Sequence, residues 1–331
     1  MASSSEASLS IAQAVAAYLD AVRLSRSPNT ARTYRNALQA FLWALKERGV
    51  DVEAAPLSAL SEDMVLDFLR VLKRQSPSTE RLYLTALAQF YEYVVARWER
   101  PLNLARVRLL IRQHARRPGR RLPQFPYEAI EEVLAYVDSL GHKPAKNRRE
   151  HLQNLRDRAF LWTLAHTGLR VHEACQLRRG DLDWNTGHAI IIGKGDRQDV
   201  VRFSPKALAL LRDYLQERQP LDARSHKALK ALPLFARHDK RAGDRVLPIS
   251  TVTGRNIVRR RVWEALGPDM VGRITPHDFR HYFVTRVLKG SGGNLKLAQR
   301  LARHQNIQVT QRYAHLDDQE LDRAYREIFG S

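Results

Sequence analysis

One cysteine, Cys175, stands in 331 residues. A lone thiol forms no internal disulfide and no cysteine-rich zinc site. No run of about 18 apolar residues occurs, so nothing reads as a membrane span. The opening MASSSEASLS has no basic stretch followed by an apolar one, and so does not read as a secretory signal. These absences point to the cytoplasm. The histidines have no ligand-pair spacing with acids or cysteines, so zinc is not expected, and no other metal or cofactor is called for. No internal repeat and no low-complexity tract is present. Apolar residues make up 44% of the chain, which builds ordinary cores and excludes wholesale disorder. The length suggests two domains.

Acid is what one stretch lacks altogether. Lys and Arg total 55 against 35 Asp and Glu, a net charge of +20. Residues 1–99 hold 11 basic and 11 acidic side chains, and residues 100–121 (RPLNLARVRLLIRQHARRPGRR) hold eight arginines and no acid. Residues 122–331 carry 36 basic and 24 acidic side chains. A polyanionic partner follows from this balance, nucleic acid first. The arginine-rich stretch suits a strap that neutralises phosphates without reading sequence; a merely flexible basic linker is the plainer alternative.

The apolar spacing predicts a helical first domain, 1–112. Ile11, Val15, Tyr18, Leu19 and Val22 share a face, as do Tyr34, Leu38, Phe41, Leu42 and Leu45. A third helix follows Ser61, read as its cap, and a fourth follows Ser76-Pro77-Ser78 with Leu82, Leu84, Leu87, Phe90, Tyr91 and Val94 inward. Residues 113–126, with three prolines, a glycine and no apolar period, form a linker. The second domain, 127–331, opens on a helical YEAIEEVLAYV. A helix ends at Thr167-Gly168 and another begins near Arg170. Asn185-Thr186-Gly187 marks a turn, and the strands HAIII and DVVRF flank GKGDRQ. Helices are expected at 205–218 and 251–266, after Pro276, and twice between 294 and 330. Cys175 falls in an apolar helical patch and reads as core.

Five patterns in the second domain carry chemistry: TGLRVHEACQL (167–177), IIIGKGDRQDVV (190–201), TPHDFRHYFVTR (275–286), LARHQNI (301–307) and TQRYAH (310–315). Together they resemble the tyrosine recombinase (phage integrase) family, including its Xer branch. The family's basic pentad and nucleophile find matches, in order, at Arg170, Lys194, His277, Arg280, His304 and Tyr313. SPNTARTYRNALQAFLWAL (27–45) resembles the start of the family's SAM-like core-binding domain, and RLPQF (121–125) the lead into its catalytic domain. The resemblance implies a mainly α, two-domain DNA clamp, its catalytic domain mostly helical with a small antiparallel β-sheet. It implies a site-specific recombinase with a Holliday-junction intermediate, acting on double-stranded DNA as a homotetramer on two sites, with a possible paralogue partner and a nucleoid-associated location. A type IB topoisomerase-like relaxing enzyme and a catalytically silent DNA-binding protein are the rivals.

The residue types suit that chemistry. A phosphodiester repels nucleophiles, and attack on it adds charge to its nonbridging oxygens. Guanidiniums, permanently charged and planar, meet that charge with paired donors. Arg170 and Arg280 are assigned to the scissile phosphate; the plainer alternative for Arg170 is a helix-surface pair with Glu173. Tyrosine has a pKa of about 10, and surrounding cations favour its phenolate. By the resemblance Tyr313 is the nucleophile of a 3′-phosphotyrosyl ester that stores the energy of the broken bond; a core tyrosine is the plainer alternative. By resemblance Lys194 is the general acid and His304 donates to a nonbridging oxygen. His277 either accepts the tyrosine proton or bonds a phosphate oxygen. Glu173 orients basic neighbours. The family usually has Leu-Gly-His where this chain has Ala302-Arg303-His304, which either the backbone tolerates or Arg303 turns into a DNA contact. The final helix, 317–329, is expected either to pack on its own domain or to link protomers head to tail.

Overall fold

In the computed structural model, residues 9–116, 126–193 and 198–304 are described. The chain divides into two compact units, 1–121 and 122–331. Among the described residues no helix is long and apolar enough to cross a membrane.

The first unit is helical: α1 (Ile11–Ser25), α2 (Pro28–Glu47), α3 (Met64–Leu72), α4 (Pro77–Trp98) and α5 (Leu104–His114). Ser10, Ser27, Ser76 and Asn103 cap α1, α2, α4 and α5, each side-chain oxygen accepting a backbone N–H of the first turn. Pro28 and Pro77 open their helices where no N–H is needed. Phe41, Phe68, Phe90 and Tyr91 fill the centre, and Phe41 meets Phe68 edge-on at 5.6 Å. Two expectations fail in detail. Ser61 does not cap α3, which begins after Asp63 without a side-chain cap; the Ser61 carbonyl instead accepts the Tyr91 hydroxyl at 2.7 Å. Leu82 is exposed, since it lies on the side of α4 opposite the buried Glu80 and Leu84. The arginine-rich stretch also contains a helix, α5, seated through Val107. Its end is fastened by the buried Glu80, which accepts from the Arg116 backbone N–H and guanidinium and from Lys73.

The second unit comprises α6 (Tyr127–Ser139), α7 (Arg148–Thr167), α8 (Val171–Gln176), β1 (Leu182–Asp183), β2 (His188–Ile192), β3 (Gln198–Arg202), α9 (Pro205–Ala223), α10 (Thr251–Leu266), α11 (Pro276–Gly290) and α12 (Leu295–Ala302). Helix α7 runs through the centre, buried from Leu155 to Ala165 except at Arg158 and packed against α6, α9 and α11. Three of its buried polar residues pair inside: Asp157 receives Arg156 and Arg261, and Asn154 also receives Arg261. The sheet is antiparallel in the order β1-β2-β3, with Ile190 opposite Val200 and Ile192 opposite Gln198. The family's mostly helical fold with a small antiparallel sheet is thus present. Cys175 is core, its thiol pushed up to about 12 by burial.

Candidate active site

Four of the six sequence-selected residues lie in the described part of the second unit: Arg170, His277, Arg280 and His304. Lys194 and Tyr313 lie outside the described residues, as does the tail helix 317–329. The strands on either side of Lys194 end at Ile192 and begin at Gln198.

The break between α7 and α8 presents Arg170. Gly168 takes φ +61, and a Cβ there would come within 2.5 Å of the Phe283 ring, so position 168 needs glycine twice over. The turn leaves Arg170 as the residue before α8. Both its backbone N–H and its Nη1 donate to Glu173, to Oε2 and Oε1 respectively, each at 2.8 Å. Glu173 is buried, whereas the Arg170 side chain is 48% exposed, so its guanidinium is braced from behind and open in front.

Helix α11 brings the next three groups. Thr275 and Asp278 form a capping box: Asp278 Oδ2 accepts the Thr275 N–H, and Thr275 Oγ1 accepts the His277 N–H. One turn on, His281 stacks edge-on against His277, ring centroids 4.2 Å apart. Arg280 lies on the inner face, 2% exposed. Its Nη1 donates to the Gly168 carbonyl at 2.5 Å, and its Nη2 to the Ala302 carbonyl. One side chain thereby ties the α7–α8 turn to the end of α12. Helix α12 closes on Arg303 in the left-handed conformation, and the His304 N–H returns to the Gln299 carbonyl at 3.0 Å.

The electrostatics follow from crowding. Burial, with the charges of Arg170 and Arg303, lowers Arg280 to about 9. It stays protonated at neutral pH, though less comfortably than an isolated guanidinium. Burial, then Arg280 and Arg170, takes His304 down to about 4. Burial and His277 do the same to His281, also to about 4. His277 is lowered by desolvation and by the same two arginines, against the pull of Asp278. Burial works to raise Glu173, yet the Arg303 charge and the hydrogen bonds from Arg170 outweigh it and hold the carboxyl ionised. Three guanidiniums therefore share one carboxylate among neutral imidazoles. Such a cluster favours an anion.

Arg303 is the member of this cluster whose role the sequence left open. Its Nη2 donates to Glu173 Oε2 at 3.0 Å. The departure from glycine was visible; its acidic partner, 130 residues away in the chain, was not.

Against known proteins, the pattern of the phage integrase family matches residues 131–320, and that of the phage integrase N-terminal SAM-like domain matches residues 15–98. A tyrosine recombinase XerC from Halalkalibacterium halodurans is 29% identical over 323 residues, covering 95% of this chain and 96% of the relative. A tyrosine recombinase XerC from Staphylococcus aureus is 27% identical over 317 residues, covering 93% and 94%. Among solved structures, XerH site-specific recombinase bound to palindromic difH substrate (post-cleavage complex) superposes with a TM-score of 0.68 at 22% identity, over 96% of this chain and 84% of that one. A lambda integrase(75–356) dimer bound to a COC′ core site gives 0.63 at 16% identity, over 92% and 95%. These two likenesses speak to the fold.

Proposed function

Since the chain belongs to the phage integrase family and is a tyrosine recombinase, we propose that it cuts and rejoins duplex DNA at a specific site through Tyr313. The observation that carries this reading is the cluster of Arg170, Arg280 and His304, an anion site with a cationic excess and an open front. The scissile phosphate sits against Arg170 and Arg280, which meet the charge that grows on its nonbridging oxygens. His304, neutral in the free protein, donates one N–H to the same oxygens. The Tyr313 oxygen attacks phosphorus and its proton passes to His277, whose lowered pKa leaves it neutral and able to accept. The bond from phosphorus to the 5′-oxygen breaks, and Lys194 protonates that oxygen. A 3′-phosphotyrosyl ester and a 5′-hydroxyl result. Attack by a 5′-hydroxyl from a second duplex reverses the step, restores the phenol and leaves a Holliday junction. Nothing is consumed, because the ester retains the bond energy.

Residues 1–112 form the core-binding domain, 113–126 the basic linker and 127–331 the catalytic domain. Four protomers assemble on two sites in the cytoplasm. That one solved neighbour is described as a post-cleavage complex with its substrate supports the reading. The test is a nicked suicide duplex carrying the site that the full chain selects from a random-sequence pool. Denaturing electrophoresis should show a covalent protein–DNA band that Tyr313→Phe abolishes. A band that survives this substitution excludes Tyr313 as nucleophile. Plasmid relaxation without site preference would favour the relaxing enzyme, and no band on the selected site the silent binder.

A further inference from the structure

Besides Arg280, the described part of the second unit contains three deeply buried arginines, and they show how this chain accommodates an internal guanidinium. Arg218 donates to Asp222, to the Tyr214 hydroxyl and to the carbonyls of Leu234 and Pro233. Arg261 donates to Asp157, Glu264 and Asn154. Arg156 donates to Asp157 and to the Ala236 carbonyl. In each, every guanidinium nitrogen has an acceptor.

Arg303 breaks that rule. Its side chain is only 6% exposed, yet among the described residues one nitrogen alone is paired, Nη2 with Glu173. Its Nε and Nη1 have no partner among them. Its backbone, at φ +56, sits where glycine is the comfortable choice. Neither backbone preference nor donor satisfaction accounts for an arginine here. What distinguishes the side chain is the carboxylate it holds, and that carboxylate accepts both the N–H and the Nη1 of Arg170.

We propose that Arg303 is a positioning residue for strand cleavage, fixing the Glu173 carboxylate so that it presents Arg170 to the scissile phosphate in one orientation. The inference rests on the cluster being a strand-cleavage site. In the glycine-containing pattern of the family no side chain at this position can do this, so Arg303 adds a brace on the Arg170 side.

The experiment measures single-turnover formation of the covalent band on the selected suicide duplex. Arg303→Gly should keep its DNA affinity and melt no lower than wild type, because it relieves the left-handed backbone and removes unpaired donors. It should cleave about tenfold more slowly. Arg303→Lys, which can still reach one carboxylate oxygen, should recover part of the rate. In an Arg170→Ala background, or in Glu173→Gln where that is too slow to follow, adding Arg303→Gly should slow cleavage no further. An additive loss would overturn the inference by making Arg303 a phosphate ligand in its own right. An unchanged rate in Arg303→Gly would overturn it as well. A wild-type chain that forms no covalent band would defeat the recombinase reading itself, and this inference with it.

Discussion

Arg170 and Arg280 belong to one cluster but are built differently, and their substitutions should separate. Arg170 is half exposed and leans on a single carboxylate. Arg170→Ala should therefore leave the melting temperature near wild type while slowing cleavage on the order of 10²–10³-fold, as removal of a transition-state donor does. Arg280 donates to two backbone carbonyls from inside the unit. Arg280→Ala should lose cleavage and, because each abandoned carbonyl costs about 1–3 kcal/mol, stability as well. Denaturant titration of the two variants checks this, and equal stabilities would contradict it. His238 offers a second residue-scale test. The Tyr214 hydroxyl already accepts from Arg218 and from the Ala236 N–H, so it gives its own proton to His238 Nε2. Burial, Arg156 and Arg218 lower that imidazole from 6.5 to about 3. The unfolded chain then binds the proton that the folded one refuses. Stability is complete above about pH 6.5 and falls as pH drops toward 3. Melting curves across that window should be shallower in pH for His238→Gln.

At the scale of elements, the α7–α8 break and the β2–β3 hairpin were legible because local chemistry decides them: Thr167-Gly168 ends one helix, and HAIII alternates inward and outward. Gly168→Ala should destabilise the second unit by about 1–3 kcal/mol, measured by denaturation, and should misplace Arg170. The site's internal wiring was less legible. That Arg280 would turn inward depends on carbonyls at 168 and 302, and no pattern around 280 records them. Ser61 illustrates the opposite error: a good capping residue placed just before a helix whose first turn starts elsewhere. Helix α5 was hidden by its arginines, though Leu104, Val107, Leu110 and Ile111 keep a helical period. Its fastening centres on a buried acid, with Arg116 also donating to the Leu72 and Gln75 carbonyls and Lys73 to the His114 carbonyl. Glu80→Ala should free the end of α5, raising amide exchange there ahead of the rest of the first unit. The cost should be only about 1–3 kcal/mol, since Lys73 and Arg116 remain partly solvated.

For the whole molecule, charge is the dominant property, and it is uneven. Arg116 is committed to Glu80, so within residues 112–121 the test takes the other four arginines, Arg112, Arg117, Arg120 and Arg121. Replacing these four with glutamine should weaken binding to every DNA sequence alike. It should also reduce the slope of log affinity against log salt by up to about 4. An unaltered slope would remove this stretch from the interface.

The double duty of Arg280 reaches into how such a chain would decay. A descendant that no longer needed to cut DNA would be free to discard its nucleophile or its general acid with little harm to the fold. It would not be free to discard the arginine at 280, which clasps the carbonyls of Gly168 and Ala302 from inside the unit. Loss of chemistry in this lineage should thus begin elsewhere, and an arginine at that position in an inert cousin would testify to architecture, not to surviving activity.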